Sequence, residues 1–278
     1  RMNRLAQAAD LISQAAVLAK YNDMEGADKL IAQLEPAVAP ASLEAVRTLT
    51  DAANWNLSRE RWHTAAQRFL LLAHVFAKVD PADTNVNSQE WLPIAPAILT
   101  WGEPGQYQEF RRLAVKRFSQ TTHPVVAEHL IKITLLAPPD EEILEAVAPM
   151  AAVLEASLGP DKQKDAHLKA WAHCALALLA YRQGDLVSAG EWARKSLEYP
   201  RESSRNYWNA VVLAMIDLRQ GRATNALAKL EEPRSQLARW EENPSRFDPS
   251  NRLSWGNWGA LRILLCEAEA MLGANESE

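Results

Sequence analysis

Histidines and cysteines are the residues from which this chain could build a metal site or a nucleophile, and there are six of the first and two of the second. His167 and His173 stand six apart, as do His123 and His129. Neither spacing is the i, i+4 step that sets two imidazoles on one helix face, and the His-Glu-x-x-His pattern is absent. His173 and Cys174 are adjacent, which on a helix turns their side chains about 100° apart. Cys174 and Cys266 both fall in apolar helical patterns and read as small core residues of a reducing compartment. No basic group beside either thiol would lower its pKa, and there is no Gly-x-Ser-x-Gly elbow. The acidic pairs Glu141-Glu142, Glu231-Glu232 and Glu241-Glu242 suit solvated helix faces, the first of them in a first turn where negative charge meets the helix dipole. The expectation is no catalytic residue, no metal and no cofactor.

Two other groups of residues suit binding. Arg111, Arg112, Lys116 and Arg117 form a basic run that could touch an acidic ligand, though alternation with apolar residues also fits the outer face of an amphipathic helix. Ten tryptophans exceed ordinary packing needs. A net charge of −5 argues against a nucleic-acid partner, which would call for a basic stripe. No apolar run is long enough to span a membrane. The sequence enters an amphipathic stretch directly at Arg1-Met2 without a secretory leader pattern, and reads as a piece of a longer, cytoplasmic protein.

The elements that must position these residues are helices. Alanine and leucine dominate, glycine is scarce, and period-two alternation is nearly missing. Between Trp171 and Leu230 the chain repeats itself at an interval of 37 residues: Trp171 with Trp208, Leu176 with Leu213, Ala177 with Ala214, Gln183-Gly184 with Gln220-Gly221, Ala189 with Ala226. Each copy predicts a helix, a glycine that ends it in a left-handed conformation, and a second helix returning on the first. One hairpin cannot bury its own apolar stripe, so hairpins of this kind stack. This pattern resembles the tetratricopeptide (TPR) family.

The resemblance implies an all-α fold, a right-handed superhelix of TPR-like hairpins. It comprises degenerate hairpins over 1–79, irregular ones with proline-containing turns over 80–160, and two regular repeats with a closing helix over 161–278. Predicted helices include 3–21, 141–157 and 254–272, the last ending at Gly273, with polar loops over 80–88 and 243–251 and a charged linker after Gly159. Pro96 is expected to distort the short helix from Trp91 to Trp101. The repeat positions that line a TPR concave face correspond here to Trp171, Cys174, Leu178, Tyr181 and Arg182, and to Trp208, Val211, Met215, Leu218 and Arg219. Of these, Trp171, Leu178, Tyr181, Arg182, Trp208, Met215 and Arg219 form the candidate groove for a protein or peptide partner; the other reading makes both tryptophans inter-hairpin core. Ala175 and Val212 stand where carboxylate-clamp TPR domains carry asparagine, so that mode is not expected.

A narrower resemblance covers roughly residues 45–235. Trp101-Gly102-Glu103, Tyr107, the arginines up to Phe118, Thr121-Thr122-His123-Pro124 and Leu135-Leu136-Ala137-Pro138 are similar to the TPR-containing C-terminal region of planctomycete-type bacterial Ser/Thr protein kinases and WD-repeat/TPR proteins. It implies a helical accessory region and no phosphoryl transfer, because the chain has no glycine-rich phosphate loop, His-Arg-Asp or Asp-Phe-Gly. The expected function is a non-enzymatic interaction scaffold, the docking or sensor region of a larger bacterial signalling protein. A peptide- or small-molecule-sensing domain is the alternative, and an enzyme with a site hidden between hairpins a further one.

Overall fold

The computed structural model of the chain describes residues 2–79, 88–159, 165–200, 203–243, 245–247 and 252–275. Among the described residues there are thirteen α-helices, two short 3-10 helices and no strand. In order these are α1 (Met2–Lys20), α2 (Met24–Ile31), α3 (Leu43–Ser58), α4 (Trp62–Phe76), α5 (Ile94–Trp101), α6 (Gln106–Phe118) and α7 (Pro124–Thr134). There follow α8 (Glu141–Ser157), α9 (Ala166–Gln183), α10 (Leu186–Leu197), α11 (Ser203–Arg219), α12 (Ala223–Glu241) and α13 (Arg252–Asn275). The 3-10 turns are Pro36–Val38 and Ser88–Trp91. The loop expected after Val79, the linker after Gly159 and much of the loop before Asn251 lie outside the described residues.

Helices pack mainly on their sequence neighbours: α1 on α2, α3 on α4, α7 on α8, α9 on α10 and α11 on α12. Four of these hairpins turn in the same way. Gly184 and Gly221 adopt the expected left-handed backbone (φ 83° and 71°), and Asn22 and Glu60 do so as well (φ 65° and 58°). After each, the next N–H reaches back to a carbonyl five residues earlier. Asp23 donates to Leu18, Arg61 to Asn56, Asp185 to Ala180 and Arg222 to Asp217, over 2.9, 3.0, 3.0 and 2.8 Å. This closure satisfies carbonyls that a helix end leaves free. Asp23 and Asp185 then cap the returning helix, their carboxylates accepting from the N–H of Gly26 and of Ser188 at 2.8 and 3.0 Å.

Pro96 causes no distortion. Helix α5 begins at Ile94, so Pro96 sits in its first turn, where its missing N–H has no intrahelical partner to lose. Helix α13 runs through Gly273 to Asn275 instead of stopping at that glycine. Cys174 is buried as expected, but Cys266 lies exposed on α13, a correction to its reading as core.

Two helices are buried all round. In α7 every residue from Ala127 to Thr134 is buried, and in α9 every residue from Ala170 to Tyr181. What encloses α9 is α7, α10, α11 and, at its C-terminal end, α13. Helix α13 also packs on α5, early in the chain, and the close approach there depends on two glycines. A Cβ at Gly256 would stand 3.2 Å from Cα and N of Pro93, and one at Gly259 would stand 3.1 Å from Cβ of Pro96. Trp255 beside them packs on Phe69 of α4 at 5.7 Å between ring centroids. One continuous apolar core therefore extends from Ala8 to Leu272.

A left-handed non-glycine residue costs roughly 1–2 kcal/mol, while glycine brings an unfolded-state entropy cost of about 0.5–1 kcal/mol. Glu60→Gly is therefore expected to stabilise the chain by about 0.5–1 kcal/mol and Gly184→Ala to destabilise it by about 1–2 kcal/mol. The loose, exposed Glu60–Arg246 ion pair (3.7 Å) contributes little to the comparison. Urea unfolding midpoints check both.

Candidate functional site

The structure brings most of the expected groove residues onto one face and then covers that face. The rings of Trp171 and Trp208 meet edge to face at 6.1 Å, and the Arg219 guanidinium stands 5.7 Å from the Tyr181 ring. Yet Trp171 is only 5 % exposed and Trp208 2 %, and Leu178, Tyr181 and Met215 are buried with them. The cover is the chain itself. Trp208 Nε1 donates to the Asn257 carbonyl of α13 at 3.0 Å, and Tyr181 Oη donates to Met271 Sδ at 3.5 Å. Arg182 forms a fork with Glu267 of α13 (2.5 and 2.7 Å) and donates to the carbonyls of Leu135 and Leu136 (2.9 and 3.0 Å). Only Arg219 remains exposed. The face between α9 and α11 is thus an internal interface, correcting its expectation as an open groove. The physical reason is that α13 lies outside the repeat, and the repeat pattern records a buried stripe without recording what buries it.

The basic run of α6 is not a patch either. Arg111 is buried, its Nε donating to the Thr134 carbonyl at 2.7 Å and its terminal nitrogens to the carbonyls of Pro138 (3.2 Å) and Ala137. It closes the C-terminus of α7, whose last carbonyls need donors. Arg112 pairs loosely with Glu142 at 3.7 Å, Arg117 stands 5.8 Å from the Phe118 ring, and Lys116 is exposed. No three metal-binding side chains converge among the described residues.

Two concavities carry polar groups the sequence reading passed over. The first is an open groove of about 770 Å³ between α1 and α3. Lys20, Arg47 and Asp51 line it, with half-buried Trp55 in contact with the guanidinium groups of Arg59 and Arg61, 4.5 and 4.8 Å from its ring centre. Asn54, also lining it, is 5 % exposed and its side chain makes no hydrogen bond among the described residues. Two residues on, Asn56 is fully engaged as a donor to Asp28 and Ala52 (3.0 and 2.9 Å).

The second is a partly open pocket of about 340 Å³ at the start of α7, α9 and α11. Its floor is a buried polar chain on α7, continued behind the wall by Ser88 of the second 3-10 turn. Ser88 Oγ lies 2.8 Å from His129 Nδ1, His129 Nε2 lies 3.2 Å from Glu128 Oε2, and Glu128 Oε1 lies 2.5 Å from Lys132 Nζ. The last contact is off the hydrogen-bonding direction and is an ion pair alone. Lys132 Nζ also sits 3.9 Å from the centre of the Trp171 ring. The available signal was a Glu-x-x-x-Lys step inside an otherwise apolar run from Val125 to Ile133, where a solvated pair has no place.

Burial lowers the His129 pKa from 6.5 to about 4, outweighing the opposing pull of Glu128, with Lys132 and His123 adding to the drop. The imidazole is therefore neutral at pH 7, with Nε2–H facing the carboxylate and Nδ1 accepting from Ser88. No family model, no curated protein and no solved structure matches the chain.

Two outcomes follow. Trp208→Ala is expected to cost about 3–5 kcal/mol of stability, read as a lower Tm, because it empties a sealed interface. A histidine held neutral must bind a proton on unfolding, so its contribution is whole above pH 6.5 and is lost as pH falls towards 4, on the order of 3 kcal/mol. Burial lowers His74 and His173 too, so the difference between wild type and His129→Gln in urea stability across that window isolates its share.

Proposed function

We propose that the chain is a TPR-like binding module without enzymatic activity, the docking or sensor part of a larger cytoplasmic bacterial signalling protein, and that it takes an extended peptide segment of a partner in the groove between α1 and α3. The solenoid reading is supported by the four hairpins with one turn closure and by the 37-residue match between two of them. Peptide binding is carried by one observation, the buried Asn54 carboxamide that opens on the groove without an intramolecular partner. A side-chain amide offers a donor and an acceptor together, which is what a peptide backbone unit needs. In the free chain the amide faces the open groove, where the backbone of a bound segment can take the place of water on it. Trp55, in contact with two arginines, adds an aromatic anchor of the kind that dominates interface energetics. Charges of both signs at Lys20, Arg47 and Asp51 set direction and register for the segment.

The non-enzymatic reading draws support from how the titratable groups at the second pocket are already engaged. Glu128, the one carboxylate lining it among the described residues, is held by Lys132, and the His129 imidazole lies between Ser88 and Glu128.

Peptide binders selected on the intact chain provide the test. Because Asn54 forms no internal hydrogen bond, Asn54→Ala leaves the Tm unchanged, and it is expected to weaken such binders by about 2 kcal/mol, as is Trp55→Ala. Selected peptides that bind both variants as tightly as the wild type overturn the groove assignment.

A further inference from the structure

We propose that the partly open pocket beside α7 is a binding site for one free α-amino acid with an apolar side chain, its carboxylate on Lys132 and its ammonium on Glu128. The inference is independent of the peptide groove, which lies on other helices. It begins with the position of the ion pair. Lys132 is 3 % exposed and Glu128 5 %, and both line a space of about 340 Å³. Taking two such charges out of water costs several kcal/mol for each ion, and an apolar pair of similar size holds a core at least as well.

The pair is also incompletely bonded. Lys132 has three N–H donors, and its contacts are the Glu128 carboxylate, approached off the hydrogen-bonding direction, and the faces of Trp171 and Trp208 at 3.9 and 5.9 Å. Glu128 meets a neutral imidazole on its other oxygen. Both charges thus keep bonding capacity at the wall of the cavity. Arg68 shows the contrast: it grips both carboxylate oxygens and the carbonyl of Asp28, at 2.7, 3.2 and 3.3 Å.

Opposite charges side by side select the ligand. A simple anion is drawn to Lys132 and repelled by Glu128 from nearly the same distance, and a simple cation meets the reverse. A molecule carrying an ammonium and a carboxylate on one carbon satisfies both at once. The remaining wall is mixed: Leu92, Val125, Leu154 and Leu168 form an apolar side that suits an aliphatic or aromatic side chain, and Ser157, Ser204 and Asn257 are among its polar groups. The volume is at the small end for ligand sites and fits a single amino acid.

The test is titration calorimetry on the intact chain with L-leucine, L-methionine and L-phenylalanine, and with two single-charge relatives of the last, phenethylamine and 3-phenylpropionate. At least one amino acid is expected to bind, and phenylalanine, or its relatives if they bind at all, to follow the order set by charge, with the zwitterion at least about tenfold tighter. Val125→Trp fills the cavity from its half-buried rim and leaves the ion pair in place, so it should fold and lose binding. The double variant Glu128→Leu with Lys132→Met leaves no lone buried charge and is expected to keep its Tm while losing the preference for the zwitterion. Failure of all three amino acids to bind at millimolar concentration, single-charge relatives binding as tightly as phenylalanine, or unchanged binding in the Val125→Trp chain each overturns the proposal.

Discussion

The contact on which the architecture turns is the crossing of α13 over α5. Gly256 and Gly259 let the helix reach Pro93 and Pro96 so closely that an added Cβ would stand 3.1–3.2 Å from them, tighter than ordinary contact. With that approach, the last helix reaches back from α11 to an element of the first half of the chain. It carries with it the Asn257 carbonyl that receives Trp208, the carboxylate of Glu267 that receives Arg182, and the Trp255 ring that meets Phe69. A methyl group at either glycine would press on the prolines and require a shift of a few tenths of an ångström at this contact, which packed interiors resist. The prolines serve the same contact from the other side, since a helix start that needs no N–H at Pro96 can present a flat, donor-free surface to the glycines.

What could be read from the sequence depended on whether local chemistry and tertiary environment leave different marks. Helices and their turns were legible, because Gly184 and Gly221 supply a left-handed backbone where few other residues do so cheaply. Asn22 and Glu60 make the same turn, but Glu60 pays for it in strain that tertiary packing overrides, so the first two hairpins look degenerate while folding alike. Trp171 and Trp208 were legible as a pair on one face and illegible as to its fate. An aromatic stripe at helical spacing is the same string whether it meets solvent, a partner or a later helix of the same chain. Arg111 misled for the opposite reason: a guanidinium beside apolar residues reads as solvated, and only the fold supplies the carbonyls of Thr134, Ala137 and Pro138 that bury it.

The polar residues of the interior then divide by completeness of bonding. Arg68, Arg111 and Arg182 spend their planar forks on carboxylates and carbonyl groups, and each ties two or more helices or turns together. Such groups need nothing further, and burying them is a matter of architecture. The Lys132–Glu128 pair is as deeply buried and lacks that saturation, and Asn54, equally buried as a residue, makes no side-chain hydrogen bond among the described residues where it faces its groove. Their environments are where the sequence signal was weakest, since one asparagine and one Glu-x-x-x-Lys step resemble countless solvated neighbours on a helix surface.

Incomplete bonding does not by itself mark a site. The indole nitrogen of Trp91 has no acceptor, yet Trp91 lies among Phe76, Phe110 and Phe118 and lines neither concavity. What distinguishes Asn54 and Lys132 is that the unspent capacity borders a space large enough to admit the group that would use it. An orphaned group sealed in a core lowers stability with no return, whereas one at the wall of a cavity lowers it only until a ligand arrives. Stability lost in the free protein then reappears as affinity, and occupancy of the cavity raises the free energy of unfolding by mass action. Because α7 carries the pair and is packed on α6, α8 and α9 at once, a ligand held there would stabilise all four helices together.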